Sequence, residues 1–228
     1  MRYALELFSG TGSFKKASEK SPFNYNVIGV DNDPSANHDI LVDVSKWDFK
    51  NDKRLPKSFD YIHASPPCIS FTLLNAMFKQ PHRDVKNGTL KPLTETGRLG
   101  DKLLNKTMEI IKYYQKKNPN LKFSIENPRG FMRKMPILKK DPSIYRTTTS
   151  YSKYGFDYSK PTDFFTNFPL KLKSIDTVKN PSKTRKLGKL QYSTGMKVKG
   201  QSKETLYRIP PRLISSILKQ AHDVTTPT

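Results

Sequence analysis

Cys68 closes the run Ser65-Pro66-Pro67-Cys68 and is the chain's one cysteine. Far downstream, after an apolar run at 122–126, stands Glu126-Asn127-Pro128. A thiol on a proline-stiffened turn, with a carboxyl group supplied from elsewhere in the chain, has a specific chemical reading. The thiolate adds to a ring carbon, and the carboxyl group handles the proton on the ring nitrogen. The competing reading is a small buried hydrophobe, the commoner state of a single intracellular cysteine. One cysteine excludes an intramolecular disulfide and a Cys-rich zinc site, so no metal is expected.

A second group of candidates lies near the N-terminus. Glu6-Leu7-Phe8-Ser9-Gly10-Thr11-Gly12-Ser13 reads as a strand followed by a tight glycine turn. Glycines there let a ligand approach the backbone, and the helix start beyond offers free N–H groups. Lys15 stands where the dinucleotide fingerprint has its third glycine, which weakens a nicotinamide reading and leaves other adenosyl ligands open. Asp31 follows roughly twenty residues on, where an acid can hold ribose hydroxyls. Asp43 is placed to accept from an adenine amino group. Each acid is equally read as a turn or helix cap.

These residues need a scaffold, and the pattern supplies one. Apolar runs at 3–8, 27–30, 40–42, 59–64 and 122–126 read as strands. Helices are expected at 14–20, 99–117 and 212–221, the second stopped by Asn118-Pro119 and the third started by Ile209-Pro210-Pro211. Strands separated by helix-length segments, with Gly, Asp or the Pro-Pro turn at their carboxyl ends, argue an α/β fold with a doubly wound, mostly parallel sheet. Ligands of such sheets bind at those carboxyl ends. Residues 69–97 lack periodicity and carry Lys79, Arg83, Lys86 and Lys91 among Pro81, Gly88 and Pro92. A structureless stretch of that length is usually functional. Beyond Pro161 hydrophobic residues become sparse and lysines frequent. The division expected is a catalytic unit at 1–165, a small basic insert at 166–204, and a C-terminal helix at 205–228 that packs back.

The balance of charge constrains the partner. Lys and Arg number 41 against 20 Asp and Glu, a formal net charge of +21 with a pI near 9.9. A field of that sign recruits polyanions and exceeds what solubility requires. Lys79, Arg83 and Lys86 in the loop, and Lys183, Arg185, Lys186 and Lys189 in the insert, are the candidate phosphate contacts. No window has the length and apolarity of a membrane span, and no signal peptide is evident, so a soluble, intracellular monomer is expected.

In this order the motifs resemble those of the cytosine-C5 DNA methyltransferases, above all the short forms of phages and large DNA viruses. Glu6 to Phe14 resembles the family's first motif, Ser65 to Cys68 its Pro-Pro-Cys motif, and Glu126 to Pro128 its Glu-Asn-Val motif. Tyr154-Gly155, Lys160-Pro161-Thr162-Asp163 and Arg208-Ile209-Pro210-Pro211 resemble blocks of the short members. The resemblance implies a methyltransferase fold that uses S-adenosylmethionine and acts on duplex DNA. It places Phe8 on the adenine, and Gly10, Thr11, Gly12 and Ser13 around the methionine part. Asp31 falls on the ribose with Asn32 beside the adenine, and Asp43 falls on the adenine amine with Val44 adjacent. It makes Cys68, presented by Pro67, the nucleophile, and sets Glu126, followed by Asn127, on the cytosine N3 and amine. The target base would be flipped out of the duplex, with the 69–97 loop as a lid over it.

The chain departs from that pattern in three motifs, and its target-recognition region is very small. The Gln-x-Arg-x-Arg motif is absent, its nearest counterpart being Arg146-Thr147-Thr148-Thr149-Ser150-Tyr151. Pro128 replaces Val, and the last Gly-Asn motif is not recognisable. Three other readings stand beside the first. An amino-nitrogen DNA methyltransferase would carry an aromatic residue where Cys68 stands. An inactive nucleic-acid-binding relative would suit the missing arginines. An RNA substrate is compatible with the same charge and the same Pro-Pro-Cys logic.

Overall fold

The computed structural model describes residues 1–77, 79–175, 191–192 and 207–224. A strand sandwiched between two layers must be apolar on both faces. Strand β1 (Arg2–Leu7) meets that condition, with Ala4, Leu5 and Leu7 fully buried. Its neighbours are β2 (Tyr25–Asp31) and β4 (Tyr61–Ala64), both parallel to it. Outside these lie β3 (Ile40–Leu41) next to β2 and β5 (Lys122–Pro128) next to β4, again parallel. The sheet is completed by β6 (Tyr145–Ser150) and β8 (Pro161–Thr166), giving the order β3-β2-β1-β4-β5-β8-β6. β8 runs antiparallel to both β5 and β6. The doubly wound, mostly parallel α/β sheet expected from the sequence is therefore present, with a reversed strand near one edge.

Helices cover both faces. On one face α2 (Glu95–Lys117) buries Leu103, Leu104, Met108, Ile110, Ile111 and Tyr114 against Leu5, Ile62 and Phe123. Its start is set by Thr94, whose hydroxyl accepts from the Gly97 amide at 3.2 Å, and its end by Asn118 ahead of Pro119. On the other face α1 (Ser13–Glu19) packs with a C-terminal helix, α4 (Pro211–Asp223). Leu213, Ile214, Ile217 and Leu218 are its buried stripe, worth about 1.5–3 kcal/mol each in apolar burial. A four-residue helix, α3 (Pro136–Lys139), follows β5. A two-stranded ribbon pairs β7 (Tyr158–Ser159) with β9 (Gln191–Tyr192).

Two strands of the main sheet were not foreseen, nor was the ribbon of β7 and β9. β6 is Tyr-Arg-Thr-Thr-Thr-Ser, an edge strand whose polar residues hide the apolar alternation, although its β-branched threonines favour a pleated surface. β8 begins at a proline, which suits the first residue of a strand. Residues 167–175, assigned from composition to the insert, lie along the catalytic unit. Thr147 and Thr149 donate to the Leu170 and Lys173 carbonyls, and the Lys171 amide donates to Gln220 of α4.

The 69–97 stretch is largely docked. Arg83 has no exposed surface. Its guanidinium donates to the Ser70 carbonyl at 2.8 Å and the Leu90 carbonyl at 3.2 Å, pairs with Asp101 at 2.7 Å, and covers the Phe71 ring at 4.4 Å. Gly97 and Gly100 make room for this. A Cβ on Gly100 would stand 2.1 Å from the Ser70 hydroxyl, and one on Gly97 2.3 Å from the His82 carbonyl. The assignment of Arg83 to a phosphate is thus corrected: a buried guanidinium whose three nitrogens all donate within the fold cannot also face a nucleic acid. Lys79 and Lys86 remain exposed. Lys183, Arg185, Lys186 and Lys189 lie outside the described residues.

Candidate active site

The strand order reverses at β1, whose neighbours β2 and β4 lead to opposite edges, so the crevice at its carboxyl end is the expected binding position. The glycine turn lies there. Phe8, Gly10 and Gly12 all adopt positive φ, at 58°, 48° and 64°. For Phe8 that region costs of order 1 kcal/mol or more, a cost tolerated mainly at functional positions. Gly12 must be glycine, because a Cβ there would meet the Asn37 side chain at 2.7–2.9 Å. Above Gly10 the space is open, the nearest atom to an added Cβ being the Phe8 carbonyl at 3.9 Å.

Asp31 ends β2 and reaches back to this turn. One carboxylate oxygen accepts from the Gly10 amide at 2.8 Å and the other from the Asp33 amide at 3.0 Å. Asn32 is exposed beside it. Asp43 accepts from the Ser45 amide at 2.9 Å and keeps 41 % of its side chain exposed, so it retains acceptor capacity, whereas Val44 is buried in the core. Thr11 hydrogen-bonds Ser13 at 2.7 Å, and the buried Ser13 hydroxyl also accepts from the Ile209 amide at 3.1 Å. Ser13 therefore ties the C-terminal segment to the turn. Glu6, under the turn, accepts from the Phe14 and Lys15 amides at 3.0 Å each, an anion at a helix start. Burial pushes its carboxyl up to about 7 against those two amides.

The second half of the site is built by β4 and β5. Ala64 pairs with Ile125, so the turn after β4 and the end of β5 lie side by side. Asn127 fixes their relation: its buried Nδ2 donates to the Pro66 carbonyl at 2.9 Å. The Cys68 carbonyl accepts from the Phe71 amide at 2.8 Å, and the Phe71 carbonyl accepts from the Phe131 amide at 2.6 Å. Close approach of these two loops needs Gly130, where a Cβ would lie 2.2 Å from the Phe71 carbonyl. Pro66 is buried, Pro67 exposed, and Cys68 half-buried at the mouth. Burial pushes the Cys68 thiol up, the Lys160 ammonium pulls it back, and the Glu126 carboxylate pushes it up further.

Glu126 is buried on β5 and accepts from the Tyr151 hydroxyl at 3.0 Å. Burial first, and then Glu126, hold that phenol protonated far above its ordinary range, so Tyr151 is the donor. Among the described residues Tyr151 is the side chain that donates to Glu126, in a chain without the arginine motif. It stands at the end of the stretch Arg146 to Tyr151, and only the pairing of β6 with β8 brings it to β5. On the same strands Asp163 accepts from Arg133 at 2.9 Å and from Thr148 at 2.7 Å, which joins β8, β6 and the turn after β5. Arg133 is thereby occupied structurally.

His63, on β4 behind the site, is buried between Ser124 (2.8 Å) and Ser65 (3.2 Å) and stacks on Phe14. Burial lowers its pKa to about 3, so it is neutral in the folded protein and charges on unfolding below about 6.5. Its contribution to stability is full above that unfolded value and is lost as pH falls toward 3, by about 1.4 kcal/mol per pH unit. Urea midpoints between pH 7 and 4 should therefore fall more steeply for the wild type than for His63→Gln. Equal slopes would show that His63 accepts its proton inside the fold.

Fold and site together define an α/β methyltransferase: a glycine turn and strand-end acids at the switch point, with a thiol and a carboxyl group one strand further on. No family model matches the chain. It is 30 % identical over 224 residues to the probable DNA (cytosine-5)-methyltransferase of Frog virus 3 (isolate Goorha), spanning 94 % of this chain and 97 % of that protein. The methyltransferase EhMeth of Entamoeba histolytica has a similar fold, with a TM-score of 0.56 over 100 % of this chain and 99 % of that one at 13 % identity. The chain belongs to the DNA (cytosine-5)-methyltransferase family. It is a methyltransferase, and S-adenosylmethionine is its methyl donor. The open space over Gly10 and the half-exposed Asp43 carboxylate, paired only loosely with Lys46 at 3.8 Å, fit that molecule. Among the described residues no helix is long and apolar enough to cross a membrane, and no cluster of three metal-ligating side chains occurs.

Proposed function

We propose that the protein methylates C5 of cytosine in duplex DNA through a covalent adduct with Cys68. The observation that carries this reading is the tie between the two loops: Asn127 holds the Pro66 carbonyl, so the turn that carries the thiol is fixed to the strand that carries Glu126, near enough for the Glu126 charge to act on the thiol. C5 of cytosine is a weak nucleophile. Attack of the Cys68 thiolate forms an S–C6 bond and moves the C5–C6 electron pair toward C5, while Glu126 stabilises the charge and proton at N3. When bound, S-adenosylmethionine would supply an electrophilic methyl group, its S–CH3 bond breaking as the C5–CH3 bond forms and the sulfur leaving as the neutral thioether. Once C5 has taken the methyl group, a base removes the C5 proton, the C5–C6 double bond re-forms, and the S–C6 bond breaks.

In this reading Asp31 holds the ribose, Asp43 the adenine amine, and Gly10, Thr11 and Gly12 the methionine part, with Phe8 and Asn32 flanking the adenine. Asp31→Ala should weaken cofactor binding by about 1–3 kcal/mol, or roughly 5- to 150-fold in Kd, since a charged acceptor is lost. DNA affinity should hardly change. Unchanged cofactor binding by calorimetry would make Asp31 only the clamp of the glycine turn.

DNA is favoured as substrate by the charge of +21 together with the viral DNA-methyltransferase relative. Lys79, Lys86 and the lysines and arginine at 183–189 are the proposed phosphate contacts, and the protein acts as a monomer. Bisulfite sequencing of duplex DNA treated with the protein tests the reading, with a parallel transfer assay on RNA. Methyl groups on RNA alone would replace it by the RNA reading, and transfer to neither would leave a binding protein.

A further inference from the structure

We propose that Tyr151 is a positioning residue of the active site: its hydroxyl holds Oε1 of Glu126, so that Oε2 is the oxygen turned to the target base. The inference rests on Glu126 acting at the cytosine N3 and adds the group that aims it.

The register of the sheet decides which residue of the 146–151 stretch can serve Glu126. Glu126 pairs with Phe164, and Phe164 pairs with Thr147, so these three share one face of the sheet. Arg146, the arginine of that stretch, is level with Phe165 and Ile125 and stands on the opposite face. Arg133 is bound to Asp163. Thr147 and Thr149 are on the Glu126 face, but their hydroxyls donate to the Leu170 and Lys173 carbonyls, each at 2.7 Å. Tyr151 follows them at the same alternation, and its longer side chain spans β8 to reach the carboxyl group on β5.

The contact is built into the wall of the site. Tyr151 has no exposed surface, Glu126 is only 5 % exposed, and their hydrogen bond is 3.0 Å long. The phenol is itself fixed. The Tyr151 amide donates to the Lys160 carbonyl at 3.3 Å, its carbonyl accepts from the Phe156 amide at 3.4 Å, and its ring meets Phe156 edge-on with centroids 5.9 Å apart. A rigid ring held in this way is a preorganised donor. Burial keeps the phenol protonated, so the proton in this bond belongs to Tyr151, and a proton on the carboxyl group sits on Oε2. That proton passes from Oε2 to N3 as the S–C6 bond forms, and it returns to Oε2 as that bond breaks.

The test is the rate of covalent trapping on duplex DNA carrying 5-fluorocytosine, with S-adenosylmethionine present and the protein in excess so that slow rates can be followed. Tyr151→Phe keeps the ring and removes the hydroxyl. It should slow trapping about 10- to 100-fold, less than the roughly 10²- to 10⁴-fold that a general acid supplies. Kd for the cofactor and for unmodified duplex should stay the same. Glu126→Ala should trap more slowly still, and adding Tyr151→Phe to it should change nothing, because the hydroxyl acts only through the carboxyl group. If Tyr151→Phe alone does not fold, this second comparison decides, since the double variant strands no buried carboxyl group: equal rates support the assignment, and a further fall overturns it. Trapping by folded Tyr151→Phe at the wild-type rate also overturns it, as does a loss matched by weaker cofactor or DNA binding. Trapping by Glu126→Ala at the wild-type rate would instead remove the role of Glu126 at N3, and the inference with it.

Discussion

Cys68→Ala should end methyl transfer, with a fall of at least about 10⁴-fold, the scale on which loss of an enzymic nucleophile is felt. The fold should survive. The turn is held by backbone and neighbour contacts, the Cys68 carbonyl to the Phe71 amide and Asn127 to the Pro66 carbonyl, and none uses the thiol. The side chain is half-buried, so its truncation should cost only about 1 kcal/mol. Cofactor binding should persist, because Asp31 and the glycine turn sit on other strand ends. The wild type should form a denaturant-stable complex with DNA carrying 5-fluorocytosine, where loss of the C5 substituent is blocked, and the variant should not. Transfer by folded Cys68→Ala would rule the covalent route out.

Arg83→Ala should be the most damaging change outside the chemistry. It strands the Asp101 carboxylate and the Ser70 and Leu90 carbonyls and removes the guanidinium stacked on Phe71. Breaking a buried charged network of this kind costs about 3–5 kcal/mol. For a chain of this size that lowers Tm by roughly 6–20 °C. Activity should fall even well below Tm, because Phe71 bridges the nucleophile turn to the loop after β5. The salt dependence of DNA binding should not change, whereas each true phosphate contact among Lys79 and Lys86 should remove about 0.9 from the slope. A flattened slope in folded Arg83→Ala would return Arg83 to the nucleic-acid surface.

Local chemistry wrote much of this protein plainly. Buried parallel strands are continuous apolar runs, and the turns that end them need Gly, Asp or Pro for steric reasons, so β1, β2, β4 and β5 and the residues at their tips were readable. Cys68, Glu126, Asp31 and the glycine turn were all found where strand ends must lie. What the sequence could not disclose depends on partners distant along the chain. Asn127 reads as part of a motif, but its work is a hydrogen bond to a carbonyl 61 residues earlier. Arg83 reads as one more surface cation in a basic chain, and only the docking of its loop on Gly97 and Gly100 shows that its charge is neutralised inside. Tyr151 ends the stretch that stands where the arginine motif would be, but nothing in that stretch tells what its hydroxyl meets. Its hydrogen bond to Glu126 exists because β8 runs backwards between β5 and β6, and the direction of a strand is fixed by how the sheet closes on its neighbours, not by the residues within it.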